Sequence, residues 1–73
     1  MKWKINYWEF NEKEDTYKEQ ILWASTVFEA YGLFSSCVWD DTCIECTVTA
    51  YYSDEPYSNN PIFAYKNPFR RKK

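Results

Sequence analysis

Residues Thr42 to Tyr52 constrain the fold more than any other stretch of this chain. Ile44, Cys46, Val48, Ala50 and Tyr52 alternate with Cys43, Glu45, Thr47, Thr49 and Tyr51. A period of two places one set on a core face of a strand and the other on an outer face. Thr47, Val48 and Thr49 are β-branched, and Tyr51 and Tyr52 are aromatic, which suits a pleated, half-buried surface. A helix would scatter the same residues around its axis. The stretch reads as an inner strand of an antiparallel sheet, and the rest of the chain has to supply its neighbours and a cover.

Residues 2–10 read as a first strand, with Trp3, Ile5 and Tyr7 pointing one way and Lys2, Lys4 and Asn6 the other. The alternation stumbles at Tyr7-Trp8, so Trp8 and Phe10 fall on the opposite face or follow a bulge. Residues 11–25 admit two readings. In one, Asn11 to Asp15 is a charged hairpin loop and Thr16 to Ala24 returns as a strand with Tyr17, Ile21 and Trp23 on one face. In the other, a helix runs from Glu12 to Tyr31 with Tyr17, Ile21, Ala24, Phe28 and Tyr31 as its stripe. Thr26-Val27-Phe28-Glu29 matches a capping box for a shorter helix. Both readings make 27–31 helical and use Gly32, the only glycine, as the stop.

Leu33 to Trp39 then reads as a weak strand or linker, and Asp40-Asp41-Thr42 as a turn into the central strand. Ser53 to Pro61 has loop chemistry, and Pro61 to Lys66 supplies a short edge strand. The expected architecture is α+β: a small antiparallel sheet of three to four strands packed against one helix, ordered β-β-α-β(-β) or β-α-β-β. Residues 1–66 form the single domain, and 67–73 a basic, flexible C-terminal tail.

A chain of 73 residues buries only roughly 60% of its unfolded surface, so its core needs help. Sixteen residues are Trp, Tyr or Phe, and each buried ring removes about 150–250 Å² from water. One small core cannot hide them all, so some are expected on a contact surface. Trp3, Trp8 and Trp23 are the candidates for binding a protein partner, because Trp dominates binding hot spots. Aromatic strands near the N-terminus also make a homodimer an expectation, through paired edges or stacked faces.

Charge divides the chain. Residues 1–65 carry a net −7, and Lys66, Arg70, Arg71, Lys72 and Lys73 restore five positive charges, leaving −2 overall. The acidic body, including Glu12, Glu14, Asp15, Glu19, Asp40, Asp41, Asp54 and Glu55, suits a basic site on another protein. The basic segment, with Phe69 and neighbouring rings interleaved, suits phosphates and unpaired bases instead. Lys66, Phe69, Arg70, Arg71, Lys72 and Lys73 are therefore the candidate nucleic-acid contacts.

Catalytic and metal chemistry find little support. The chain has no histidine, the commonest acid/base residue, and the sequence places no His, Lys or Ser so as to complete a catalytic site with Asp40, Asp41 and Glu45. Cys43-x-x-Cys46 lacks a second pair for a metal, and on a regular strand those two side chains face opposite sides. The three cysteines are read as structural, free thiols in a reducing cytoplasm; no signal peptide or membrane-spanning run is recognised. The protein is thus expected to act by contact, without enzymatic activity, cofactor, metal or membrane, as an inhibitor or modulator of another protein. Its size, lack of catalytic groups and aromatic load resemble in style the small accessory proteins of phages and mobile elements, with no motif carrying that resemblance.

Overall fold

A computed structural model describes residues 1–69, and shows one helix packed on one side of an antiparallel sheet. The elements run β1 (Lys2–Asn11), β2 (Thr16–Ala24), α1 (Val27–Val38), β3 (Cys43–Tyr52), β4 (Glu55–Pro56) and β5 (Phe63–Lys66). β1 is central: it pairs with β2 on one side and with β3 on the other. The far edge of β3 is taken up in turn by β4 and β5.

The β1–β2 hairpin forms because its turn has the right chemistry. Asn11 Oδ1 accepts from the backbone N–H of Lys13 and Glu14, and Asp15 closes the turn at φ 52°, a left-handed conformation that Asp tolerates. The hairpin reading of 11–25 therefore holds and the long helix does not form. Pairing runs across nine registered positions, from Trp3↔Ala24 to Asn11↔Thr16, and turns Leu22 and Ala24 toward the core.

The helix starts where the capping box places it, with Thr26 Oγ1 accepting from Glu29 N at 3.1 Å. It does not stop at Gly32 but continues to Val38, overturning the strand or linker expected for 33–39. Gly32 costs about 1 kcal/mol within a helix. Beyond it, Leu33, Phe34 and Cys37 lie on the same face as Ala30 and pack against Ile5, Cys46 and Val48, which outweighs that cost.

The core lies between this helix face and one face of the sheet. Ile5, Ala30, Val48, Cys43 and Cys46 are its fully buried members, with Ala24 and Cys37 nearly so; Ile44 is buried outside that cluster. Two assignments in the central strand are corrected. Cys43, expected on the outer face, is buried, and Tyr52, expected in the core, is exposed. The first follows from a bulge: Trp8 faces Glu45 but Glu9 faces Cys43, so Ile44 is an extra residue that reverses the alternation at the start of β3. The second follows because Tyr52 lies beyond the N-terminal end of β1, where the last paired position is Lys2↔Tyr51.

Replacing Ile5 by Ala is expected to cost about 2–5 kcal/mol, a large share of the stability of so small a domain. Replacing Trp39, exposed at the helix C-terminus, by Ala should change stability by less than about 0.5 kcal/mol. Equilibrium urea unfolding of both variants checks the contrast.

Candidate functional site

With a single helix in the described chain, only one side of the sheet is covered. The uncovered side collects the even-numbered residues of β1 (Lys4, Asn6, Trp8, Phe10), their partners on β2 (Trp23, Ile21, Glu19, Tyr17) and those on β3 (Thr49, Thr47, Glu45). Trp8 and Phe10 thus continue the alternation of β1 without a break. The irregularity that the Tyr7-Trp8 pair suggested is carried by β3 instead.

Aromatic rings gather at the two ends of this open face. Phe10 and Tyr17, directly opposite each other, have centroids 5.4 Å apart. At the other end Trp23 and Tyr51 meet edge-on at 5.2 Å, reaching across the intervening β1. Lys2 Nζ lies 4.7 Å from the Trp23 ring centroid, and Lys4 Nζ lies 6.0 Å from Trp23 and 5.7 Å from Tyr51. Such a cation over an exposed ring contributes about 0.5–1 kcal/mol and holds the indole in one orientation. Trp23 and Ile21 nevertheless remain nearly half exposed. Polar contacts on this face include Asn6 Nδ2 donating to Glu19 Oε2 at 3.3 Å.

The three tryptophans singled out in the sequence are not brought together. Trp8 and Trp23 share the open face, whereas Trp3 lies on the helix-facing side and packs against the core. Strand parity could have separated them, because Trp3 has the phase of the buried Ile5. Several large rings are more exposed than any of the three: Phe28, Trp39, Tyr52, Tyr57 and Phe69, of which sequence reasoning gave only Phe69 a contact role.

Seven acidic residues lie in or beside the turns at the ends of the sheet. The β1–β2 turn, with Glu12, Glu14 and Asp15, and the α1–β3 turn, with Asp40 and Asp41, lie at the same end, where Phe10 N donates to Thr42 O. The C-terminal end of α1, with no basic residue in its last turn, adds its partial negative charge there. Asp54 and Glu55 sit at the opposite end. Asn67 Nδ2 donates to Cys43 O, and an open cleft of about 600 Å³ is lined by Val38, Asp40, Asp41, Tyr65, Asn67, Pro68 and Phe69. Lys66 and Phe69 of the candidate nucleic-acid set are thus placed beside the acidic end. Arg70, Arg71, Lys72 and Lys73 lie outside the described residues.

Asp40 is occupied with its own turn, accepting from Thr42 N and Oγ1 at 2.9 and 2.8 Å. The thiols are occupied as core. The bulge turns Cys43 to the same side as Cys46, and both join Cys37 of α1 in one buried cluster. Burial pushes the Cys43 thiol up to about 11 and raises Cys37 and Cys46 as well. Such thiols are poor nucleophiles and poor metal ligands. Among the described residues no group of three or more His, Cys, Asp or Glu side chains is arranged to hold a metal ion, and no helix is long and apolar enough to cross a membrane.

No protein-family model, curated protein or solved structure matches this chain. The surface is therefore weighed on its own chemistry.

The buried thiols carry a prediction with a definite sign. The fold accepts the neutral thiol, so its contribution is complete below the ordinary thiol value of 9.0 and is lost as pH rises through about 11 for Cys43. Tyr7, raised above 10.0 chiefly by burial, acts in the same direction. Denaturation midpoints should therefore fall between pH 9 and 11. At pH 8 a chromogenic aromatic disulfide should leave the three thiols unlabelled in the native protein and react with all of them in denaturant.

Proposed function

We propose that this protein is a small non-enzymatic interaction protein that binds a protein partner through the open face of its sheet, as an inhibitor or modulator. One observation carries the reading: a sheet that the described residues cover with a helix on one side, and whose other side carries Trp8, Phe10, Tyr17, Ile21, Trp23 and Tyr51 around a mixed polar centre. Exposed Trp and Tyr flanked by polar groups are the composition of a binding hot spot. The acidic ends would favour a partner with basic groups at the rim of its contact surface. Within this reading the anchors are Trp8 and Trp23, and Trp3 acts as their structural support. The free-thiol core suits a reducing cytoplasm, and a phage or mobile-element accessory role suits a protein that works by occupancy.

A second reading, nucleic-acid binding through Lys66, Phe69 and the residues that follow, gains support from Lys2 and Lys4 stacked on Trp23 and Tyr51. It is weakened because the chain reaches Phe69 beside Asp40 and Asp41, whose charge repels phosphate.

Affinity capture from nuclease-treated lysate separates the two. A protein partner should be retained by a chain ending at residue 66. Trp23→Ala should weaken its capture about 30-fold, corresponding to about 2 kcal/mol at a hot spot. Thr47→Glu, at the centre of the open face, should weaken it too. Capture that is nuclease-sensitive, salt-dependent and lost on truncation would instead establish the second reading.

A further inference from the structure

The two edges of the sheet are treated differently. The outer edge of β3 is closed by β4, two residues long, and β5, four residues long, with Pro56 and Pro61 in and beside them. Short strands and prolines are the usual means by which a sheet edge is made unattractive to other chains. The edge on β2 has none of these. β2 is nine residues, runs without a bulge against β1 from Thr16 to Ala24, and contains neither Pro nor Gly. Among the described residues its other side pairs with nothing, so alternate backbone N–H and C=O groups face outwards along its length. Ile21 and Trp23 stand nearly half exposed along this same strand.

What completes such an edge is another extended strand, and β2 suits a second copy of itself. We infer that two copies associate through antiparallel β2–β2 pairing about Gln20, joining their sheets and their open faces into one. This deepens the proposed function and rests on that reading of the open face. Side chains select the register. With Gln20 opposite Gln20 across the two-fold axis, Tyr17 stands opposite Trp23 and Lys18 opposite Leu22. Glu19 stands opposite Ile21, and Thr16 opposite Ala24. An aromatic pair forms at each end of the joint and no like charges face each other, the pattern that stabilises neighbouring strands. Centring the axis on Glu19 would set two carboxylates face to face. Because opposed positions all have the same parity, the two open faces continue on one side and the two helices lie on the other.

Sedimentation equilibrium of the full chain at micromolar concentrations tests the inference. The wild type should sediment with twice the 8.9 kDa chain mass. Ile21→Glu, which sets a second carboxylate opposite Glu19 twice per dimer, should weaken association at least about tenfold while leaving the circular dichroism spectrum unchanged. Ile21→Lys, which sets an ammonium opposite Glu19, should remain dimeric, and Glu19→Lys added to Ile21→Glu should restore the dimer. Thr47→Glu, two strands away from the joint, should leave the dimer intact while it weakens partner capture. That separates failure of the edge from failure of the open face. A monomeric wild type overturns the inference, as does a dimer that tolerates Ile21→Glu. Dissociation by Ile21→Lys would overturn the Gln20-centred register, and dissociation by Thr47→Glu would point to stacked faces.

Discussion

The structure depends on β1 being flanked along nearly its whole length. Ile5 sits at the crossing of two ladders, opposite Leu22 on one side and Val48 on the other, and is sealed beneath α1. Most of the residues that exclude water around it come from elements distant in sequence, so the hairpin, the helix and β3 are stable only together. Among the described residues a single helix of twelve residues covers one side of that arrangement. The open aromatic face is thus a geometric consequence of composition: the chain carries more large rings than one helix can cover.

Within the core, small soft side chains occupy the space beneath the C-terminal half of the helix. Cys37, Cys43 and Cys46 meet there because Ile44 is bulged out of register, which turns two cysteines three residues apart toward one side. In this environment they behave as compact apolar groups with weak hydrogen-bonding capacity, and their neutral form is part of the packing. The Cys-x-x-Cys spacing, suggestive of metal or redox chemistry in isolation, is here a means of filling space.

Charge and edges set what the surface can meet. Carboxylates are concentrated at the turns, where solvent screens them, while Lys2 and Lys4 lie across Trp23 and Tyr51 on the sheet. One sheet edge is blunted by short strands and prolines and the other is left continuous. An exposed face next to an unblocked edge gives two ways of making contact, through side chains and through backbone. Association along the edge would double the face without altering it.

The sequence by itself determined the elements whose signal is local. The alternation of β1, and that of β3 from Glu45 to Tyr51, depends on residues within a few positions of one another and stands as read, while the Asn11–Asp15 turn and the Thr26 cap were legible as one of two readings. Tertiary structure decided the rest. Whether Gly32 ended the helix depended on what Leu33, Phe34 and Cys37 could pack against, and the side taken by Cys43 depended on a bulge set by its pairing with β1. Likewise Trp3 and Trp23 look equivalent as letters, yet the single helix lies over the side of the sheet that holds one and leaves the other in water. Propensity and periodicity are properties of neighbours along the chain, whereas burial is a property of which surfaces meet, and only the folded arrangement supplies that.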